Sequence, residues 1–324
     1  MKVLKFGGTS VGSAQRMKEV AKLITDGEQK IVVLSAMSGT TNTLVEISDY
    51  LYKKNPEGAN EIINKLEAKY KQHVNELYST PEYKQKGQEL IKSHFDYIRS
   101  YTKDLFTLFE EKVVLAQGEL ISTAMMNYYL QECGVKSILL PALEYMRTDK
   151  NAEPDPVYIK EKLQMQLELH PGAEIYITQG YICRNAYGEI DNLQRGGSDY
   201  TASLIGAAIN ASEIQIWTDI DGMHNNDPRI VKNTTPIKKL SFEEAERLAY
   251  FGAKILHPFC IAPARQKDIP VRLLSSIEPQ AEGTLISKSQ DDRIIKAIAA
   301  KDSIFYLKFE SNHALRPYLF TSKV

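Results

Sequence analysis

Cysteine, long apolar runs and any excess of one charge are scarce in this chain of 324 residues, and each shortage excludes a class of protein. There are three cysteines, Cys133, Cys183 and Cys260, without Cys-x-x-Cys spacing, which excludes a zinc ribbon and disfavours a disulfide framework. The formal net charge is −1, so the basic excess typical of nucleic-acid-binding proteins is missing. No apolar run reaches transmembrane length, and Lys5 with the glycines after it interrupts any signal-like stretch. We therefore expect a cytoplasmic protein that binds neither nucleic acid nor membranes.

Short apolar runs alternate with helical periodicity over most of the chain. This alternation predicts an α/β fold with a mainly parallel sheet that is covered by helices on both faces. The predicted strands are residues 3–6, 31–36, 137–142, 174–180, 213–220 and 270–274, and the predicted helices include residues 156–169, 201–211 and 241–252. Residues 60–110 show helical periodicity and no strand signal, which predicts an inserted helical hairpin with a charged, solvated outer face.

The pattern changes near the C-terminus. Residues 287–292 are polar and are expected to form a linker. Residues 294–300 and 303–309 are predicted as two strands, and residues 314–324 as a helix capped by Asn312. Two strands and one helix are too small for a domain. We therefore expect a first domain over residues 1–286 and the beginning of a second over residues 287–324.

The first predicted strand runs directly into a glycine turn and then into a helix, with Ser13 as the expected N-cap. Lys5 interrupts the apolar strand just before Gly7 and Gly8. A strand, a glycine turn and a helix N-terminus together bind phosphate well, and a nearby lysine adds positive charge. The residue order matches neither a P-loop nor a Rossmann motif. On these residues alone, a phosphate site and a tight structural turn with Lys5 reaching the surface are equally supported.

Two later segments place small or charged residues shortly before a predicted helix. Ser35 is expected at the carboxyl end of a parallel strand, where open α/β sheets bind ligands, with Thr41 near the start of the next helix. Residues 195–199 read Arg-Gly-Gly-Ser-Asp and lead into a helix. The arginine can hold a carboxylate through two hydrogen bonds. Capping alone explains this run poorly, which favours a functional role.

Four other features have a plain structural explanation beside a functional one. Glu119 is expected in the first turn of a helix, and Lys254 near the end of one. At these positions each charge would interact favourably with the helix dipole. Residues 219–227 are rich in carboxylates but lack the terminal glutamate of an EF-hand loop. His257 is expected to be structural, because no second histidine is spaced to join it as a metal ligand.

Taken together, these segments resemble the aspartokinases of the amino acid kinase superfamily. The matching segments are residues 5–12 (KFGGTSVG), 33–36 (VLSA) with 41–42 (TN), 118–119 (GE), 195–199 (RGGSD), 217–222 (WTDIDG), 227–229 (DPR) and 252–258 (GAKILHP). Single segments are weak signals, but seven in the family's order over residues 1–286 are specific.

The resemblance implies a fold, a reaction and partners. The implied fold is an open αβα sandwich over residues 1–286, followed over residues 287–324 by a linker and part of a first ACT domain. The implied reaction is ATP-dependent phosphorylation of the side-chain carboxylate of L-aspartate to 4-phospho-L-aspartate, the first step towards lysine, threonine, methionine and diaminopimelate. Mg²⁺ would be carried mainly by the phosphates of ATP, without a dedicated protein site. A homodimer is implied when the ACT domains are complete.

The resemblance also assigns site residues. Lys5 and Lys254 would neutralise the phosphates, and Asp199 would orient Lys5 through an ion pair. Arg195 would bind the α-carboxylate of aspartate, and Glu119 its α-ammonium group. The residues implied for the aspartate are Ser35, Thr41, Glu119, Arg195, Gly196, Gly197 and Ser198. The residues implied for the nucleotide are Lys5, Phe6, Gly7, Gly8, Thr218, Asp219, His224, Arg229, Lys254 and Ile255.

Three departures from the family pattern stand beside this resemblance. Gln194 replaces a glycine, residues 224–226 replace a tyrosine and two small residues, and residues 273–277 replace an asparagine-threonine-phenylalanine segment. The change at His224 predicts altered nucleotide affinity, not loss of activity. Two other interpretations remain: an amino acid kinase that acts on another carboxylate, and a non-catalytic amino acid sensor with the same fold.

Overall fold

The computed structural model describes residues 1–103, 105–193, 196–228, 230–252, 257–288 and 295–300. The strands are β1 (Lys2–Phe6), β2 (Lys30–Leu34), β3 (Ser137–Leu140), β4 (Ile175–Gln179), β5 (Ile182–Arg184), β6 (Ile190–Asn192), β7 (Ile214–Thr218), β8 (Lys239–Ser241), β9 (Val271–Ser275) and β10 (Thr284–Ser287). The helices are α1 (Ala14–Ile24), α2 (Thr40–Tyr52), α3 (Pro56–Leu77), α4 (Pro81–Ser100), α5 (Leu108–Glu132), α6 (Pro156–Glu168), α7 (Gly197–Ile209), α8 (Phe242–Tyr250) and α9 (Ala262–Gln266). Short 3₁₀ turns lie at Ala142–Glu144 and Pro258–Ile261.

Eight of these strands form one sheet in the order β3-β4-β2-β1-β7-β9-β10-β8. The strands from β3 to β9 in this order are parallel, whereas β10 pairs antiparallel with β9 and parallel with β8. The predicted α/β class with a mainly parallel sheet is thus confirmed, and all six strands predicted within residues 1–286 are present. The short strands β5, β6, β8 and β10 were not predicted, because three or four residues carry little periodicity.

The sheet is covered on both faces by helices. Residues of β1 alternate between the two cores: Leu4 and Phe6 face one cluster, and Val3 faces the other. The first cluster includes buried residues of α1, α3, α4 and α5, and the second includes buried residues of α6, α7 and α9. Lys5 lies between Leu4 and Phe6 in the strand, so its side chain belongs to the face that α7 covers.

The inserted helical hairpin is present as α3 and α4, which confirms that prediction. Asn55 caps α3 through Gly58 N–H, Thr80 caps α4 through Tyr83 N–H, and a proline opens each helix. One face of α3 supports the loops at the carboxyl edge of the sheet. Lys69 Nζ donates to Ser38 O at 3.3 Å, and the hydroxyl of Tyr70 lies 2.8 Å from Thr40 Oγ1.

The prediction of a strand over residues 294–300 is wrong for residues 295–300, which form none. The Ile298 amide donates to Asn225 O at 2.9 Å, in the loop after β7, instead of to a neighbouring strand. Residues 289–294 and 301–324 lie outside the described residues, and with them the rest of the predicted second domain. Ser287 belongs to β10 and not to the predicted linker. Within the described part of the chain, no helix is long and apolar enough to cross a membrane.

Candidate active site

A buried ion pair joins β1 to α7 at the carboxyl edge of the sheet. Lys5 Nζ lies 2.6 Å from Asp199 Oδ1, and the two side chains are 12% and 16% exposed. Asp199 stands in the first turn of α7, where the helix dipole favours a negative charge. A lysine inside a core strand needs such a partner, since an unpaired buried charge is costly. The pair therefore explains why β1 tolerates Lys5 and fixes where its ammonium group lies.

The glycine turn after β1 brings the backbone close to the loop after β2. A Cβ atom at Gly8 would lie 2.8 Å from Ala36 O, so only glycine fits there. Ser38 N–H donates to Gly8 O at 3.1 Å, and Ser35 N–H donates to Phe6 O at 3.2 Å. A Cβ atom at Gly7 would lie 3.6 Å from Lys5 Nζ, so the ammonium group is next to the turn. Lysine, turn and second loop therefore form one rigid unit.

A cavity of ≈ 400 Å³ opens beside this unit. Six positions that the resemblance assigned to a ligand line it: Ser35, Thr41, Glu119, Gly197 and Ser198, which were assigned to aspartate, and Gly8, which was assigned to the nucleotide. Ser35 Oγ donates to Ser198 Oγ at 2.9 Å, which ties the loop after β2 to the first turn of α7. The structure thus gathers residues from four separate sequence segments around one space, which we call the acceptor cavity.

Glu119 is the buried acid of the acceptor cavity. The sequence placed it in a first helical turn, but it lies in the middle of α5, and Gly118 beside it does not interrupt the helix. A Cβ atom at Gly118 would be 2.8 Å from the Cβ of Ala36, so glycine allows α5 to approach the second loop. Ala36 N–H donates to Glu119 Oε1 at 3.1 Å, while Oε2 is buried without a hydrogen-bond partner among the described residues.

Burial raises the pKa of Glu119 to about 7, and the Ala36 amide opposes this only in part. A carboxylate with one free buried oxygen is best satisfied by a cation or a donor that enters the cavity. The acceptor cavity is therefore suited to a small ligand with an ammonium group.

Two glycines shape the start of α7. Gly196 has φ +70°, and a Cβ atom there would be 1.7 Å from Cys260 Sγ. Gly197 has φ +48°. Both therefore use backbone conformations that other residues rarely adopt. This tight entry lets α7 begin at Gly197, four residues before the predicted start at Thr201, and puts Ser198 and Asp199 at the site.

A second cavity of ≈ 370 Å³ lies beyond the carboxyl end of β7. Asp219 and His224 line it together with apolar side chains such as Met223 and Leu248. Thr218 ends β7; its hydroxyl accepts the Ile220 amide at 2.9 Å, which turns the chain into this loop. Since β1 lies between β2 and β7, the second cavity is on the other side of Lys5 from the acceptor cavity.

The His224 ring is fixed within this loop. Its Nε2 lies 2.6 Å from Asp221 Oδ1, and its Nδ1 lies 2.8 Å from Thr234 Oγ1. A carboxylate only accepts, so Nε2 carries a proton, and both ring nitrogens are satisfied by the protein. Only the face of the ring, and not its nitrogens, is therefore available to contact a ligand.

Several predicted site residues do not enter this geometry. Arg195, Arg229, Lys254 and Ile255 lie outside the described residues. The side chain of Phe6 is fully buried and stacks on Trp217, with ring centroids 5.6 Å apart, so it supports β1 from the core.

Sequence reasoning missed Tyr181, which lines the acceptor cavity directly after β4. Its backbone is in the left-handed region at φ +70°, a strained state that is common at functional sites. Tyr181 follows Gly180 at the carboxyl end of a parallel strand. A position at the carboxyl end of a parallel strand is the signal that identified Ser35, and it could have identified Tyr181. Tyr70 was also missed, because its link to the site runs through the hydroxyl of Thr40 and leaves no local pattern.

Comparison with known proteins gives a consistent picture. Residues 1–275 match the model of the amino acid kinase family. The chain is 36% identical to aspartokinase 1 of Arabidopsis thaliana, over 99% of this chain and 58% of that protein. It is 33% identical to lysine-sensitive aspartokinase 3 of Escherichia coli, over 99% of this chain and 72% of that protein.

A solved structure of E. coli aspartokinase III in complex with aspartate and ADP superposes with a TM-score of 0.81 at 33% identity, covering 90% of this chain and 65% of that one. Against the Arabidopsis aspartokinases 1 and 2, the chain spans 58% and 61% of their lengths.

Proposed function

The chain belongs to the amino acid kinase family, among the aspartokinases, and from this premise we propose that it phosphorylates the side-chain carboxylate of L-aspartate with ATP to give 4-phospho-L-aspartate. The observation that carries the proposal is the Lys5–Asp199 pair, which lies between two cavities at the carboxyl edge of the sheet. Joining a carboxylate to a triphosphate requires two adjoining sites with a cation between them. E. coli aspartokinase III, which binds aspartate and ADP, has the same fold.

The acceptor cavity is proposed as the aspartate site. Glu119 would bind the α-ammonium group through its free Oε2, which gives this buried oxygen the partner that it lacks among the described residues. Ser35, Ser198 and Thr41 would donate hydrogen bonds to the substrate, and Gly196 and Gly197 would let it approach the backbone. Arg195, proposed from the family resemblance, would bind the α-carboxylate through two hydrogen bonds.

The second cavity is proposed as the nucleotide site, and we call it the nucleotide cavity. Thr218, Asp219 and His224 would bound the nucleoside, with Arg229, Lys254 and Ile255 added by the resemblance alone. Lys5 and the backbone of Gly7 and Gly8 would face the phosphates, as amide groups in a glycine turn do. The stacked Phe6 would contribute by holding β1 in place.

Lys5 is proposed as the main charge that stabilises transfer. Its ammonium group is held by Asp199 and needs no reorganisation during the reaction. The attacking carboxylate is already ionised at neutral pH, so the site needs no general base. Within the described residues no three acidic, histidine or cysteine side chains group as a metal site. Mg²⁺ would come with the triphosphate and neutralise its charge, because it loses water reluctantly and needs few protein ligands.

A substrate panel tests this proposal. ADP release is measured with Mg-ATP and either L-aspartate, L-glutamate or no amino acid, and acyl phosphate is trapped as the hydroxamate. We expect turnover that depends on L-aspartate. Turnover with glutamate alone would instead establish a kinase for another carboxylate, and aspartate binding without any ATP binding would establish a sensor.

The domain organisation, cellular location and oligomeric state are proposed from the sequence and the family resemblance. Residues 1–286 would be the catalytic domain, with residues 60–110 as its helical insertion, and residues 287–324 would begin an ACT domain. The enzyme would act in the cytoplasm at the first step towards lysine, threonine, methionine and diaminopimelate. It would form a homodimer when the ACT domains are complete, which sedimentation velocity on such a chain can test.

A further inference from the structure

Residues 295–300 follow the sheet in sequence and return to the nucleotide cavity. Ile298, Ala299 and Ala300 line this cavity together with Met223 and other residues of the loop after β7. This stretch therefore supplies one wall of the nucleotide cavity, although it comes after all the segments that resemble the kinase motifs. We call residues 295–300 the wall segment.

Lys296 anchors the wall segment to α8. Its Nζ lies 2.8 Å from Glu244 Oε1 and donates to Oε2 at 2.8 Å, and the lysine side chain is only 6% exposed. Glu244 is itself fixed, because its Oε2 accepts the Ser241 amide in the capping box of α8. A lysine this deeply buried requires its partner, so the ion pair fixes the position of the wall segment.

Two further contacts keep the wall segment in register with the cavity. The Ile298 amide donates to Asn225 O at 2.9 Å, one residue after His224. Ala297 packs against the apolar core on the α7 side of the sheet. The anchors at Lys296 and Ile298 flank Ala297, so the backbone of residues 296–298 is held on both sides while residues 298–300 face the cavity.

The chemistry of the walls indicates which part of a nucleotide lies here. The lining is apolar at Ile220, Met223, Leu248 and Ile298, among others. Its polar side chains are those of Asp219, His224, Asn226 and Asp227. A largely apolar cavity of this kind suits the flat, poorly hydrated base of a nucleotide, whereas its phosphates would bind near Lys5 and the glycine turn.

We infer that the wall segment is part of the nucleotide-binding site and that Lys296 is a positioning residue for it, holding the wall against which the purine ring of ATP lies. This inference rests on the proposed function and deepens it.

The test compares three variants of the full chain. Lys296→Met keeps the aliphatic stem and removes the charge, Lys296→Arg keeps the charge, and Lys288→Met is the matched control. Lys288 forms an exposed ion pair with Asp268 at 2.9 Å, in the same part of the chain but outside the cavity lining. The measurements are KM for Mg-ATP, KM for aspartate, kcat, the Kd of Mg-ADP by calorimetry, and the melting temperature.

We expect Lys296→Met to raise the KM for Mg-ATP and the Kd of Mg-ADP about tenfold. This is the change expected if the wall segment occupies its position in only about a tenth of the molecules, because the apparent Kd rises as the binding-competent fraction falls. The KM for aspartate and kcat should stay within about twofold, because the acceptor cavity is on the other side of Lys5. Lys296→Arg should restore most of the affinity, and Lys288→Met should change neither constant.

An unchanged Kd for Mg-ADP in Lys296→Met would overturn the inference, whatever happens to the melting temperature. An equal rise in both KM values would also overturn it, because it would indicate a general loss of structure. The proposed function fails separately: wild-type protein without aspartate turnover and without Mg-ADP binding would reject both, whereas wild-type activity with no effect of Lys296→Met rejects only this inference.

Discussion

The substitution Glu119→Gln isolates the energetic cost of the buried acid in the acceptor cavity. The amide retains an oxygen for the Ala36 N–H bond, which is 3.1 Å long, and removes the charge that burial disfavours. Burial raises the pKa of Glu119 from 4.5 to about 7 in the folded protein. The folded state therefore holds this proton more tightly than the unfolded state, and the resulting stability is lost as pH rises through about 7.

The magnitude follows from linkage. Between pH 5 and pH 8.5 the wild-type protein should lose roughly 2 to 3 kcal/mol of unfolding free energy through Glu119 alone, because one pKa unit corresponds to about 1.4 kcal/mol. Glu119→Gln lacks this loss, so the difference between variant and wild type should grow by that amount over the same range. All other titrating groups cancel in the difference.

Urea denaturation at a series of pH values, without ligand, measures this difference. The same experiment with saturating aspartate should reduce the pH dependence of the wild type, because the ammonium group stabilises the charged form. A difference that stays constant from pH 5 to pH 8.5 would refute the assignment of a raised pKa to Glu119. In kinetics, the KM for aspartate of the wild type should be about tenfold higher at pH 6 than at pH 8, because only the ionised acid binds the ammonium group.

Two further predictions concern residues that shape the acceptor cavity from outside it. Tyr70→Phe removes the hydroxyl that lies 2.8 Å from Thr40 Oγ1. Because a buried hydrogen bond is lost, the KM for aspartate should rise about fivefold, while kcat stays within about twofold. Unchanged steady-state kinetics would show that α3 does not support the aspartate site. Gly196→Ala should destabilise the protein by about 2 kcal/mol or more in chemical denaturation, since φ is +70° and the new Cβ would be 1.7 Å from Cys260 Sγ. Combining it with Cys260→Ala, whose Cβ would be 3.5 Å away, should recover the steric part, and full additivity of the two losses would contradict the packing explanation.

The central sheet was predictable because parallel strands buried on both faces carry continuous apolar runs, as β2 and β4 do. The inserted hairpin was predictable from the helical spacing in α3 and α4. The start of α7 at Gly197 was not, because consecutive glycines look like a loop until their close packing against Cys260 is seen.

Glu119 shows most clearly where sequence reasoning failed at the site. The residue was identified, but it was expected in the first turn of a helix that begins after Gly118, and not in the middle of α5. In the structure this glycine is needed for contact with Ala36, a constraint that belongs to tertiary packing. The raised pKa follows from that depth of burial and could not be read from a residue in an exposed first turn. The ion pair between Lys5 and Asp199, by contrast, was implied by the family resemblance, and the two side chains lie 2.6 Å apart.

The most direct test of the account is hydroxamate trapping with wild-type protein and the Lys5→Ala variant, each supplied with Mg-ATP and L-aspartate. We expect aspartyl hydroxamate from the wild type and none from Lys5→Ala, although the variant still melts cooperatively. Turnover by Lys5→Ala at the wild-type rate, or no aspartate-dependent product from folded wild-type protein, would contradict it.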